Sequence, residues 1–143
     1  MVISIPLSVL TALFITRIAP KPIGELLNAV VTVLAGIPSV IIGVFGVGFI
    51  CPMVRDFGNF FGIQTAGGKS GLSAIIVLAL MSLPTITSMS VTALKAVDKK
   101  MILASLALGA SPTQTNFKIV LTDAQSGIFA GIILGIGRSL GEA

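Results

Sequence analysis

Four apolar runs alternate with short polar stretches along this chain: residues 2–18, 23–50, 72–94 and 127–143. A helix needs roughly 20 apolar residues to cross a hydrocarbon layer. The pattern therefore predicts helical membrane spans at about 2–18, 27–50, 72–94 and 124–142. Residues 17–22, with Arg17, Lys21, Pro20 and Pro22, mark the first aqueous connection. Residues 51–71, with Arg55, Asp56, Asn59, Gln64 and Lys69, mark the second. The run 23–50 carries Gly36, Pro38, Gly43, Gly46 and Gly48. Such residues bend a membrane helix or break its ladder, and the freed backbone groups must then find partners. Residues 35–39 thus read either as a kink with close-packing glycines or as a discontinuous helix of the kind that forms ion and substrate sites.

The stretch 96–121 is helical in pattern but regularly charged, and it lies between two apolar runs. It reads as a helical hairpin. Asp98 can cap the first arm, followed by apolar Met101, Ile102, Leu106 and Leu108. Gly109 sits where a helix takes its left-handed C-terminal residue. Ser111-Pro112-Thr113-Gln114 starts the second arm with a capping box and a proline at its first position. Thr122 and Gln125 form a second predicted box ahead of the last run. In that run Gly127, Gly131 and Gly135 recur every four residues, the spacing that lets helices touch backbone to backbone. On the run 72–94, Thr85, Ser88 and Thr92 share a face. They can satisfy carbonyls freed at Pro84 or line a polar path.

Composition supports this reading. The 143 residues are 55% hydrophobic and only 10% charged, with mean hydropathy +1.09. Soluble domains carry about 25% charged residues. An all-α, polytopic helix bundle forming one domain over 1–143 is expected, with no room for a separate soluble module. The net charge of +4 is scattered between apolar runs, which argues against nucleic-acid binding. With no His and one Cys, Cys51, neither a zinc site nor an intrachain disulfide is expected. The stretch 63–70, IQTAGGKS, is one residue short of a phosphate-binding loop. It lacks the buried strand and soluble helix that such a loop needs, so it reads as a Gly-rich connection. No nucleophile–base pair is visible, and an enzyme is not expected.

Three motifs carry a family resemblance. LALGA, nine residues and Val-Leu resembles the EAA loop of ABC-importer membrane subunits: Glu-Ala-Ala, three residues, Gly, nine residues, Ile, one residue, Leu-Pro. Gly109, Ile119 and Leu121 hold their places. The triplet reads Leu103-Ala104-Ser105, and Thr122 stands at the Pro position. LAGIPSVIIGVFG (34–46) and GIILGIGRSLGEA (131–143) are similar to signatures of phosphate-specific permeases in that family. The resemblance covers nearly the whole chain and implies a fold of the MetI-like permease type. Such permeases have one more helix before this stretch and one after it, so a fragment or truncated product is expected.

The resemblance further implies a multi-pass cell-membrane (inner-membrane) subunit of an ATP-driven phosphate importer. Its partners would be an ATP-binding subunit, a second permease subunit (identical or paralogous), an extracytoplasmic phosphate-binding protein and membrane lipid. The chain itself would need no cofactor, since ATP would bind the partner. The docking residues would be Leu103, Ala104, Ser105, Leu106, Ala107, Gly109, Ala110, Ile119 and Leu121, with Leu103, Leu106, Ala107 and Ala110 as the contact face. Leu103 lacks the carboxylate of the family pattern, whereas Thr122 can start a helix by capping as Pro does by pre-setting the backbone. A permease for another small solute, and a non-transporting scaffold or remnant, are the alternatives.

Charge placement fixes an orientation independently of the resemblance. With the hairpin cytoplasmic, Lys95, Lys99, Lys100, Lys118, Arg17 and Lys21 lie inside, against Arg55 and Lys69 outside, in agreement with the positive-inside rule. Arg138 and Glu142 then fall within or near the outer end of the last span. A charge costs roughly 2.5–3.5 kcal/mol at mid-helix, so such residues face a cavity or a partner. Arg suits phosphate through its planar two-donor fork. The expected pathway residues are Arg138, positioned by Glu142, with Pro38, Ser39, Thr85 and Ser88. The alternatives for Arg138 and Glu142 are an ion pair that locks two helices, or snorkelling to the interface.

Overall fold

The structure is a computed structural model that describes residues 3–62 and 70–142. Among the described residues seven helices follow in order: α1 Ser4–Ile18, α2 Lys21–Ala35, α3 Ser39–Phe60, α4 Gly71–Ala96, α5 Lys99–Ala107, α6 Pro112–Asp123 and α7 Gln125–Glu142. There is no strand among the described residues. α3 and α4 are each long and apolar enough to cross a membrane, and α6 with α7 is a third such unit if the pair is taken together. α1 is apolar but shorter.

α4 is the central helix, packed by α1, α2, α3 and α7. The α4–α7 pair is meshed most closely. A Cβ added at Gly127 would stand 2.6 Å from the Cβ of Ala93. One at Gly131 would stand 2.7 Å from the Cβ of Met89, and one at Gly135 2.5 Å from Cγ1 of Ile86. The glycine stripe read from the sequence therefore runs antiparallel along α4, backbone against side-chain stubs. α2 approaches α1 as closely, since a Cβ at Gly24 would meet the carbonyl oxygen of Ile15 at 2.7 Å.

The main apolar core lies where the C-terminal ends of α1, α4 and α6 meet the start of α7. Leu13, Leu94 and Val120 are essentially inaccessible there. Arg17 Nη2 donates to the Leu94 carbonyl at 3.1 Å, so Arg17 and Lys95 stand at the same end of the bundle. That is the arrangement which the charge argument requires.

Residues 27–50 do not form one helix: of the two readings of residues 35–39, the discontinuous one holds, and two further expectations are corrected below. α2 stops at Ala35, and α3 begins at Ser39 with Pro38 as its cap residue. Pro38 has no N–H and drives the preceding Ile37 out of helical geometry. The connection expected over 51–71 is helical as far as Phe60. α3 continues through Pro52 by widening its turn over Gly46–Ile50, where the Cys51 N–H reaches back five residues to the Gly46 carbonyl. The capping box expected at Thr122 and Gln125 does not form. Thr122 is already helical, and the chain turns by 64° between Asp123 and Gln125. Val120, Ala124 and Ile128, four residues apart, are all buried on the inside of that elbow, so core packing sets the turn where a cap was expected. The stretch 63–69 of the Gly-rich connection lies outside the described residues.

Candidate functional site

The break between α2 and α3 leaves the carbonyls of Ala35, Gly36 and Ile37 without backbone partners, and a side chain reaches two of them. Pro38 accepts from Ile41, at 3.0 Å, so α3 starts its own ladder and takes nothing from Ile37. In hydrocarbon an unsatisfied carbonyl costs several kcal/mol. Arg138 on α7 meets this need from about a hundred residues away. Its Nη1 donates to the Ala35 carbonyl at 3.2 Å, and its Nη2 to the Ile37 carbonyl at 3.3 Å. Nη1 also donates to Thr85 Oγ1 at 3.0 Å. One guanidinium thus ties α2, the break, α4 and α7 together, and it closes the negative end of α2 as a cation should.

Depth follows from α4. Thr85 lies ten residues from Lys95, the first charge at the hairpin end, or about 15 Å at 1.5 Å per residue. That is about half of the ~30 Å hydrocarbon thickness. Arg138 therefore meets α4 near the middle of that helix, which fits a place within the last span.

Of the residues read from the sequence as a pathway, the structure joins Arg138 and Thr85 directly and Pro38 through its neighbour Ile37. Ser39 is half-buried in the first turn of α3. Ser88 is half-buried one turn along α4 from Thr85, toward the hairpin. The Glu142 side chain lies outside the described residues. The hydroxyls near Pro84 do not serve the carbonyl that this proline frees, that of Leu80. Thr87 donates to Leu83 at 2.8 Å, Ser82 to Ala79 at 3.1 Å, and Ser8 on α1 also to Leu83 at 3.3 Å. The carbonyls of Ala35 and Ile37 are the functional groups that side-chain reasoning passed over. Their only signal in the sequence was the proline that orphans them.

The second candidate surface is the hairpin α5–α6, which forms with the caps expected. Asp98 accepts from the Lys100 N–H at 2.9 Å. Ser111 and Gln114 exchange both bonds of a capping box, at 3.1 and 3.2 Å. Gly109 takes φ +86°. Its N–H donates to Leu106, and that of Ala110 to Ser105, the paired closure of a glycine-ended helix. Ser105 Oγ and Thr115 Oγ1, 3.0 Å apart, pin one arm to the other. Replacing Gly109 with valine forces a β-branched residue into the left-handed region at a cost of roughly 1–3 kcal/mol. The hairpin of that variant should open first, read as faster proteolysis at 108–112 in membranes. Unchanged cleavage would mean that the turn does not hold the arms.

The docking residues expected from the sequence divide into two groups. Leu103 (65% exposed), Leu106 and Ala107 face outward, together with Ala104. Ala110 is half-covered, and Gly109 is the turn. Ser105 faces the second arm through its bond to Thr115. Ile119 is half-buried, and Leu121 packs against the main core, so Leu121 ties the second arm to the bundle. Leu108, 89% exposed, and Phe117 enlarge that apolar face.

Comparison with known proteins follows the same lines. Residues 4–143 match the family described as the binding-protein-dependent transport system inner membrane component. The chain is similar to the probable ABC transporter permease protein YqgH of Bacillus subtilis, 37% identical over 99% of this chain and 44% of that protein. It is similar to the phosphate transport system permease protein PstC 2 of Mycobacterium tuberculosis, 33% identical over 99% of this chain and 48% of that protein. The corresponding PstC of Xylella fastidiosa is 31% identical over 99% of this chain and 48% of its own length. The chain thus spans about half the length of these relatives. No solved structure matches it. A broken helix closed by a mid-depth arginine, a capped hairpin at one end of the bundle and a match over almost every residue agree: this chain belongs to the family of binding-protein-dependent transport system inner membrane components.

Proposed function

We propose that the chain is the membrane-spanning permease part of an ATP-driven importer and that its substrate is phosphate. The observation that carries this reading is the meeting of Arg138 with a helix break near mid-depth. Discontinuous helices at that level are where transporters of several folds hold their substrates. A guanidinium suits a tetrahedral oxyanion, because its planar fork gives two parallel hydrogen bonds. Relatives named as phosphate transport permeases support the choice of anion. In this reading Arg138 contacts the anion, with Glu142, Thr85, Ser88, Pro38 and Ser39 around its path.

Energy would enter through the hairpin. An ATP-hydrolysing subunit would grip the outward face at Leu103, Leu106, Ala107 and Leu108. A second permease subunit would complete the pathway, and an extracytoplasmic binding protein would deliver the anion. Leu103 in place of the family's glutamate makes this contact apolar, so burial would have to do the work of a charge. The name of the Bacillus subtilis relative specifies no solute, which makes a permease for another small anion the second reading.

Uptake of labelled phosphate by the assembled importer tests both readings. Competition by unlabelled phosphate, and not by sulfate, is the expected result. Uptake competed only by another solute would select the second reading, and flux without ATP would remove the importer altogether. Leu106→Asp should abolish capture of the ATP-hydrolysing subunit while leaving the chain in the membrane. Undiminished capture would show that the hairpin face is not the contact.

A further inference from the structure

We infer that Thr85, with the carbonyls of Ala35 and Ile37, forms an acceptor cradle whose role in transport is to position Arg138. This rests on the reading that Arg138 meets the anion. Beside that path, Thr85 is thereby a positioning residue, acting through the guanidinium. Three observations converge on it. The hydroxyl of Thr85 accepts from Arg138 Nη1 at 3.0 Å and sits beside Pro84 on the central helix. The two carbonyls accept at 3.2 and 3.3 Å from the one place where α2 and α3 part. All three acceptors are neutral oxygens, and each holds the guanidinium by a hydrogen bond.

The three acceptors also come from different elements: the end of α2, the α2–α3 break and the middle of α4. An arginine side chain carries several rotatable bonds, and ordering it at the moment of binding weakens affinity. A cradle built into the fold orders it beforehand. The break between α2 and α3 then has a purpose beyond bending. It supplies backbone acceptors that an unbroken helix would have used internally.

The test is uptake kinetics for phosphate in the assembled importer carrying Thr85→Val, Thr85→Ser or Arg138→Lys, each normalised to the amount of chain in the membrane. Valine keeps the shape of threonine and removes the acceptor. KM for phosphate should rise roughly five- to tenfold in Thr85→Val with kcat nearly kept, the loss expected for one hydrogen bond. Thr85→Ser, which retains the hydroxyl, should return KM to within about twofold of the original. A raised KM in Arg138→Lys beside an unchanged KM in Thr85→Val would overturn the cradle while leaving the anion reading intact. An unchanged KM in Arg138→Lys would overturn the anion reading and the cradle with it. A fall in kcat or in membrane level in Thr85→Val, without a change of KM, would assign Thr85 to packing alone and overturn the proposal. The same holds if serine fails to rescue.

Discussion

Replacing Gly127 with alanine is expected to destabilise the α4–α7 pair by about 1–3 kcal/mol, the usual cost of overpacking a filled contact. The added carbon would stand 2.6 Å from the Cβ of Ala93 and 3.5 Å from its Cα. Neither atom is the tip of a flexible side chain, so only a backbone shift relieves the clash. Gly131→Leu should be worse, since it meets the Cβ of Met89 and lies near the Ile86 carbonyl. The decisive variant is the double one. Ala93→Gly removes the atom that Gly127→Ala strikes, and the pair together should recover most of the lost stability, as interacting neighbours do in a double-mutant cycle. The measurement is thermal aggregation of the solubilised protein for the two single variants and the pair. If the two effects simply add, the close approach does not carry the helix pair.

The second large effect is expected at Arg138. Methionine fills similar space and cannot donate. It would leave the Ala35 and Ile37 carbonyls near mid-depth with neither helical nor side-chain partners, a penalty of several kcal/mol by the cost of bare carbonyls in hydrocarbon. The variant should reach the membrane in much smaller amounts. Adding Pro38→Ala should recover part of that loss, because an alanine there gives back an N–H and lets α2 run into α3, so the ladder uses its own carbonyls. Transport should not recover in the pair, because the arginine is absent. Full accumulation of Arg138→Met on its own would show that the carbonyls have other partners and that the arginine does not maintain the break.

The contrast between what was legible in the chain and what was not follows the range of the interactions. The hairpin was legible because its determinants are neighbours. Asp98 caps two residues away, Ser111 and Gln114 cap each other across three, and Gly109 answers to the geometry of its own φ. The glycine stripe was legible as a spacing, although its partners Ala93, Met89 and Ile86 were not. The Arg138 cradle could not be read whole, because two of its three acceptors are backbone atoms 101 and 103 residues distant. Backbone carbonyls carry no identity in a sequence. The course of α3 through Pro52 was hidden for a related reason. A widened turn lets a helix pass a proline that pattern reading treats as a boundary. The elbow at Ala124 came from three buried residues packing on distant helices, which no local cap could announce.

The glycine mesh has a mechanical corollary. With nothing larger than a hydrogen between α7 and the side-chain stubs of α4, neither rod can slide along or roll over the other without collision. The two behave as a single stiff beam, with the α5–α6 elbow clamped across its foot and the Arg138–Thr85 contact partway up its length. A thrust at the foot would be carried along this beam toward the arginine, whose other contacts lie at the gap between α2 and α3.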